Sequence, residues 1–83
     1  MTAAVFERVR SIASDVFGVS AEEISAASSP ETVEHWDSTQ HLNFVLALEE
    51  TFQFQLSPEE TERIHTIGDA VKLMEEKLQA AGG

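Results

Sequence analysis

The 83 residues carry a formal net charge of −10 and no cysteine. That size allows one small domain with a modest core. The missing cysteine excludes a disulfide framework, a thiolate metal site and a thiol nucleophile, and it suits a reducing, cytoplasmic location.

The charge is unevenly spread. The five cations are Arg8, Arg10, Arg63, Lys72 and Lys77, and none falls between Ser11 and Glu62. That same span holds Asp15, Glu22, Glu23, Glu31, Glu34, Asp37, Glu49, Glu50, Glu59, Glu60 and Glu62. Such a surface repels nucleic acid and anionic membrane and steers basic partners towards it. Glu7 stands among Arg8 and Arg10 with no apolar h-region after them, and no apolar run approaches spanning length. Neither a signal peptide nor membrane insertion is expected.

The first predicted element is a helix. Val5, Phe6, Val9, Ile12, Ala13, Val16 and Phe17 recur at spacings of one, three and four, forming one apolar stripe. Thr2 can cap its start, and Gly18 stands where a left-handed residue stops a helix. Ser20-Ala21-Glu22-Glu23 has the form of a capping box, with Ile24 placed to pin a short turn to the core. Ser25 to His35 reads as a long connection, which in so small a domain needs a function or an anchor. Val33 and Trp36 are the candidate anchors.

A second helix starts at Asp37 or Ser38. Asp37 is a good N-cap, and Gln40 completes an Asp-x-x-Gln box. Leu42, Phe44, Val45, Leu46, Ala47, Leu48 and Phe52 make it apolar on most of its circumference. Such a helix is central to its domain or faces a second apolar object. Phe54 and Leu56 alternate with Gln53 and Gln55, as in an extended link. Ser57-Pro58-Glu59-Glu60 then starts a short third helix that ends near Ile64. Thr66-Ile67-Gly68-Asp69 starts the last helix, with Ala70, Val71, Met74 and Leu78 as its apolar face. Ala80 to Gly83 is expected to fray.

The residue that stands out is Ser38: a hydroxyl in the first turn of a helix, beside a carboxylate, after a polar loop. By position alone it is an ordinary helix-start serine. Asp37-Ser38, followed by Leu42 and by Ala47-Leu48-Glu49-Glu50 with Phe52 at the end, resembles the acyl carrier protein family. Phe17-Gly18-Val19 to Ile24, and Ile67-Gly68-Asp69-Ala70-Val71 to Leu78, resemble its helix-boundary and core pattern, so the resemblance covers most of the chain.

The resemblance implies an all-α fold, an up-and-down four-helix bundle with a short third helix, forming one carrier domain over residues 1–83. It implies that Ser38 carries 4′-phosphopantetheine from coenzyme A, attached by a phosphopantetheinyl transferase, with an acyl group held as a thioester on the distal thiol. Asp37 would cap the helix and present Ser38 to that transferase. The protein would then be no enzyme but a monomeric shuttle in fatty acid or polyketide biosynthesis. Its partners would be acyl-activating, acyl-transferring or condensing enzymes with basic docking surfaces, met by Glu34, Thr39, Glu49 and Glu50. Phe44, Val45, Leu46, Leu48, Ile64, Ile67 and Met74 are core residues first and candidate lining of an acyl pocket second.

The chain departs from the family's pattern in two ways. Thr39 stands where leucine is usual, and Gln40 and Asn43 stand where the fatty-acid members carry acids. The Trp36-Asp37-Ser38 start, with His41-Leu42, is closer to stand-alone carriers of specialised pathways. A peptidyl carrier would have a glycine pair before the serine.

Other chemistries fit less well. His35, His41 and His65 make no close helical pair, so no zinc site is expected. No Asp-x-Asp-x-Asp-Gly loop exists for calcium. Gly82-Gly83 resembles the end of ubiquitin-like sulfur carriers, but those need strands. Ser38 lacks the Gly-x-Ser-x-Gly elbow of a hydrolase. The alternative from another class is an unmodified acidic helical module that binds a basic partner through its second helix.

Overall fold

The computed structural model describes residues 3–82. The chain forms α1 (Ala3–Phe17), a single 3₁₀ turn (Ala21–Glu23), α2 (Ser38–Phe52), α3 (Pro58–Glu62) and α4 (Ile67–Gly82). No strand occurs among the described residues. The architecture is the expected helical bundle with a short third helix, and α1 packs against both α2 and α4. The Thr2 cap lies outside the described residues, and α4 stays helical through residues 80–82.

The stop after α1 follows from Gly18, whose φ of +69° is costly for any residue with a Cβ. Its N–H closes the helix on the Ser14 carbonyl at 2.9 Å. In the next turn the Glu23 carboxylate accepts the Ser20 amide at 3.2 Å, and Ile24 is buried below it. Reciprocal boxes begin the later helices. Ser57 Oγ accepts the Glu60 amide at 3.1 Å while Glu60 accepts the Ser57 amide at 2.9 Å. Thr66 Oγ1 accepts the Asp69 amide at 3.1 Å while Asp69 accepts the Thr66 amide at 3.2 Å. α3 ends at Glu62, and ion pairs Lys77–Glu60 (2.7 Å) and Arg63–Glu76 (3.2 Å) tie its surroundings to α4.

The core is one cluster built from the inward faces of α1, α2 and α4 with Ile24, Val33, Trp36 and Ile64. Val33 and Trp36 are buried, so the long connection has the anchors expected of it. It is also stitched to α4: Ile67 N–H donates to the Ser28 carbonyl at 3.0 Å and Gly68 N–H to the Ala26 carbonyl at 2.8 Å. A Cβ on Gly68 would lie 3.0 Å from that Ala26 oxygen, so any larger residue would have to push the loop back by a few tenths of an ångström.

Three local expectations are corrected. Leu78 is 39% exposed while Leu73, outside the expected stripe, is buried. Periodicity gives an angle about the axis but not how far along it the neighbours extend. Gln53 is not extended but caps α2 in the left-handed region at φ 60° and ψ 45°. Gln40 does not complete the box with Asp37, because its side chain points across the bundle. Its Nε2 donates to the Val16 carbonyl at 3.1 Å, and its Oε1 accepts from Asn43 Nδ2 at 2.7 Å.

Candidate functional site

Ser38 is the first residue of α2 and is exposed. Asp37 is the N-cap, in extended backbone, and its Oδ1 accepts the Gln40 amide at 2.9 Å. The first intrahelical bond runs from His41 N–H to the Asp37 carbonyl at 2.8 Å. The amides of Ser38 and Thr39 therefore have no partner within the helix. The 15-residue helix aims its positive end at this spot.

Rigidity here comes from an aromatic cluster directly under the turn. Phe17, at the end of α1, stacks on Trp36 at 4.9 Å between centroids and 22° between planes. Phe44 meets Phe17 at 5.4 Å and meets Trp36 edge-on at 5.7 Å and 70°. His41 lies nearly parallel to Trp36, 6.1 Å away, and its Nδ1 accepts the Trp36 Nε1 hydrogen at 3.0 Å. An indole nitrogen only donates, so Nδ1 is an acceptor and the imidazole proton sits on Nε2. With that lone pair engaged, His41 is not poised to deprotonate Ser38 through Nδ1. Gln40 adds the bond to Val16, so three segments converge on the start of α2.

Beside Ser38 opens a groove of about 580 Å³ lined by Pro30, Trp36, Asp37, Ser38, His41 and Leu42. Leu42 is 60% exposed and Leu46 is 56% exposed, one turn further on. Both stand on the outward stripe of α2 with Thr39, Asn43 and Glu50, all exposed.

The other expected site residues separate into groups. Glu34 is exposed in the loop near Asp37. Glu49 and Glu50 lie about 17 Å further along α2 at 1.5 Å per residue, so these acids form two patches and not one. Glu49 is half-buried, and its Oε2 accepts the Leu56 amide at 2.7 Å, a structural role. Of the acyl-pocket candidates, Phe44, Val45, Leu48, Ile64, Ile67 and Met74 are buried in the core and Leu46 is on the surface. None of these lines the groove at Ser38. Leu46 instead borders a second groove with Glu49, Glu50 and Gln53 to Leu56.

Among the described residues no three His, Asp or Glu side chains gather as metal donors. No helix there is long and apolar enough to cross a membrane. Four cations are engaged away from Ser38: Arg8 over the Phe52 ring, Arg10 with Glu7 and Phe6, Arg63 with Glu76, Lys77 with Glu60.

Sequence reasoning missed the Trp36–His41 bond, the Gln40–Val16 bond and the Glu49–Leu56 bond. A signal existed only for the first. A tryptophan needs an acceptor when buried, and His41 was the nearest imidazole along a helix start.

Chemically, the arrangement presents a primary hydroxyl in the open, next to two amides that no helical carbonyl engages, at the positive end of a helix. That suits a phosphate ester more than a nucleophile acting unaided. No family model matches the chain. Its fold is similar to the solution structure of a holo acyl carrier protein from Geobacter metallireducens, with a TM-score of 0.83, 22% identity, and coverage of 93% of this chain and 88% of that one. At that identity the likeness is one of architecture: the chain has the acyl carrier protein fold.

Proposed function

We propose that the protein is a carrier domain, spanning residues 1–83, that holds an acyl intermediate on a 4′-phosphopantetheine arm attached to Ser38. The observation that carries this reading is the exposed Ser38 hydroxyl on the first residue of α2, capped by Asp37, in an acyl-carrier-protein-like fold. Ser38 Oγ takes the phosphopantetheinyl group of coenzyme A, forming a new P–O bond as the pyrophosphate link breaks. Adenosine 3′,5′-bisphosphate leaves with the bond electrons, and a base on the transferase takes the hydroxyl proton. Asp37 holds the turn so that the hydroxyl stays presented. The amides of Ser38 and Thr39 favour the phosphodiester. The bound group supplies a thiol that holds the acyl cargo as a thioester, so the missing cysteine is no obstacle.

The chain's own contribution is presentation and docking. The outward stripe of α2 offers Thr39, Leu42 and Leu46 to enzymes that load and unload the cargo. Glu34 and Asp37 at one end and Glu50 at the other attract their basic surfaces. A cytoplasmic, monomeric shuttle between acyl-activating, acyl-transferring or condensing enzymes fits this charge and size.

Intact mass after incubation with coenzyme A, magnesium and a broad-specificity transferase tests the reading. One phosphopantetheine should be gained by wild type and none by Ser38→Ala. A folded protein that gains nothing would point to the unmodified interaction module, which the exposed Leu42 and Leu46 also suit.

A further inference from the structure

We propose that the arm on Ser38 lies in the groove between the end of the long connection and the first turns of α2, against Trp36, His41 and Leu42, and does not enter the bundle. This rests on the carrier reading of Ser38. Three observations support it. Ser38 is itself a wall of the groove, so a chain attached to its oxygen starts inside it. The groove's volume, about 580 Å³, falls within the range of small-molecule sites, about 300–1,000 Å³. The side chains that an arm inside the bundle would meet, Phe44, Leu48, Ile67 and Met74, are fully buried in one continuous hydrophobic cluster, and none of them borders Ser38's groove.

The chemistry of the walls matches a neutral, amide-bearing chain. Pro30, Trp36 and Leu42 give an apolar bed, and Leu42 is exposed at 60% with this groove beside it. Because Nδ1 of His41 is taken by Trp36, Nε2 is left as the nitrogen that donates, suited to a carbonyl of the arm. Among the described residues no lysine or arginine lines the groove, and Asp37 is the one charged wall residue. An acidic occupant is disfavoured there and a neutral one accepted. The groove also ends beside the outward stripe of α2. An arm lying in it would be covered loosely and be released by a docking enzyme that contacts Leu42.

The test uses the full chain, isotopically labelled and loaded at Ser38 from coenzyme A, acetyl-coenzyme A and octanoyl-coenzyme A in separate samples, with loading verified by mass. Nuclear Overhauser contacts should join the geminal methyl protons of the arm to the Trp36 ring and Leu42 methyls. The Trp36 indole N–H resonance should shift between the unloaded and loaded protein. Pro30→Asp, at an exposed wall of the groove away from the outward stripe of α2, should weaken the contact to Trp36 while still loading. A loaded protein whose arm methyls resonate as in free pantetheine, with no contact to Trp36 or Leu42, overturns the groove and leaves the carrier reading standing. Contacts to Phe44, Ile67 or Met74 instead would place the arm inside the bundle and also overturn it. Failure to load overturns both.

Discussion

Trp36 and His41 are joined edge to edge: the indole N–H donates to the imidazole Nδ1 at 3.0 Å, and the two ring planes lie within 14° of parallel. Trp36 is 4% exposed, so this bond satisfies a donor that water does not reach freely. The consequence is mechanical. The loop before Ser38 and the helix that begins with it are fastened by one contact across that residue.

Removing the acceptor while keeping the ring isolates that contact. His41→Phe should cost about 1–3 kcal/mol, the usual penalty for a buried donor left unpaired. Urea unfolding followed by the fluorescence of Trp36, the single tryptophan, reads it directly. An unchanged midpoint would mean that the bond contributes nothing to the fold.

Gln40 belongs to the scaffold, although its position invites reading it as part of a docking face. Its amide nitrogen donates to the Val16 carbonyl, and a carboxylate there could only accept. Gln40→Glu should lower stability by about 1–3 kcal/mol, a fall in Tm of about 4–8 °C per kcal/mol for a domain this size. Differential scanning calorimetry at neutral pH would show it. A Gln40→Glu protein as stable as wild type would exclude the bond.

The two acids at the end of α2 should part company. Glu49→Lys loses the bond to the Leu56 amide and should destabilise the protein by about 1–3 kcal/mol. Glu50 is exposed, so Glu50→Lys should stay within about 0.5 kcal/mol of wild type while slowing association with a basic partner. Paired denaturation and stopped-flow binding measurements distinguish the roles. Equal stability losses would contradict the assignment.

Gln53 ends α2 in left-handed backbone without being glycine. Left-handed backbone costs a residue with a Cβ about 1–2 kcal/mol, partly offset by the greater unfolded-state freedom of glycine. Gln53→Gly should therefore raise stability by about 0.5–1 kcal/mol, checked by the urea midpoint.

Acid should weaken the tie between α3 and α4. A hydrogen bond from Lys77, then one from the Ser57 backbone amide, hold the Glu60 carboxyl below its ordinary value. A group depressed in the folded state binds protons more readily when unfolded. Its contribution is complete above the ordinary carboxylate value and is lost as pH falls through the lower folded one. Glu60→Gln should flatten that part of the stability profile between neutral and acid pH, measured by urea unfolding at each pH.

What could be read in the sequence was what depends on local chemistry. Gly18, the helix starts at Ser57 and Thr66 and the Asp37 cap were visible because each acts within a few residues, and helix boundaries followed from them. Ser38's place at the head of α2 was legible for the same reason. What escaped needed three dimensions. Gln40 meets Val16 across 24 positions, and Gly68 meets Ala26 only because a loop folds back on α4. Leu46 has the hydrophobicity of a core residue but faces outward, since a helix rich in apolar residues on every side does not state which side is covered.

The proposed function stands or falls on Ser38 carrying the arm. The decisive experiment is co-expression with a broad-specificity phosphopantetheinyl transferase, followed by tandem mass spectrometry of the peptide spanning Ser38. One phosphopantetheine localised to Ser38 is expected, and an unmodified chain for Ser38→Ala. A folded wild-type protein that emerges unmodified, or modified at another serine, would refute the assignment.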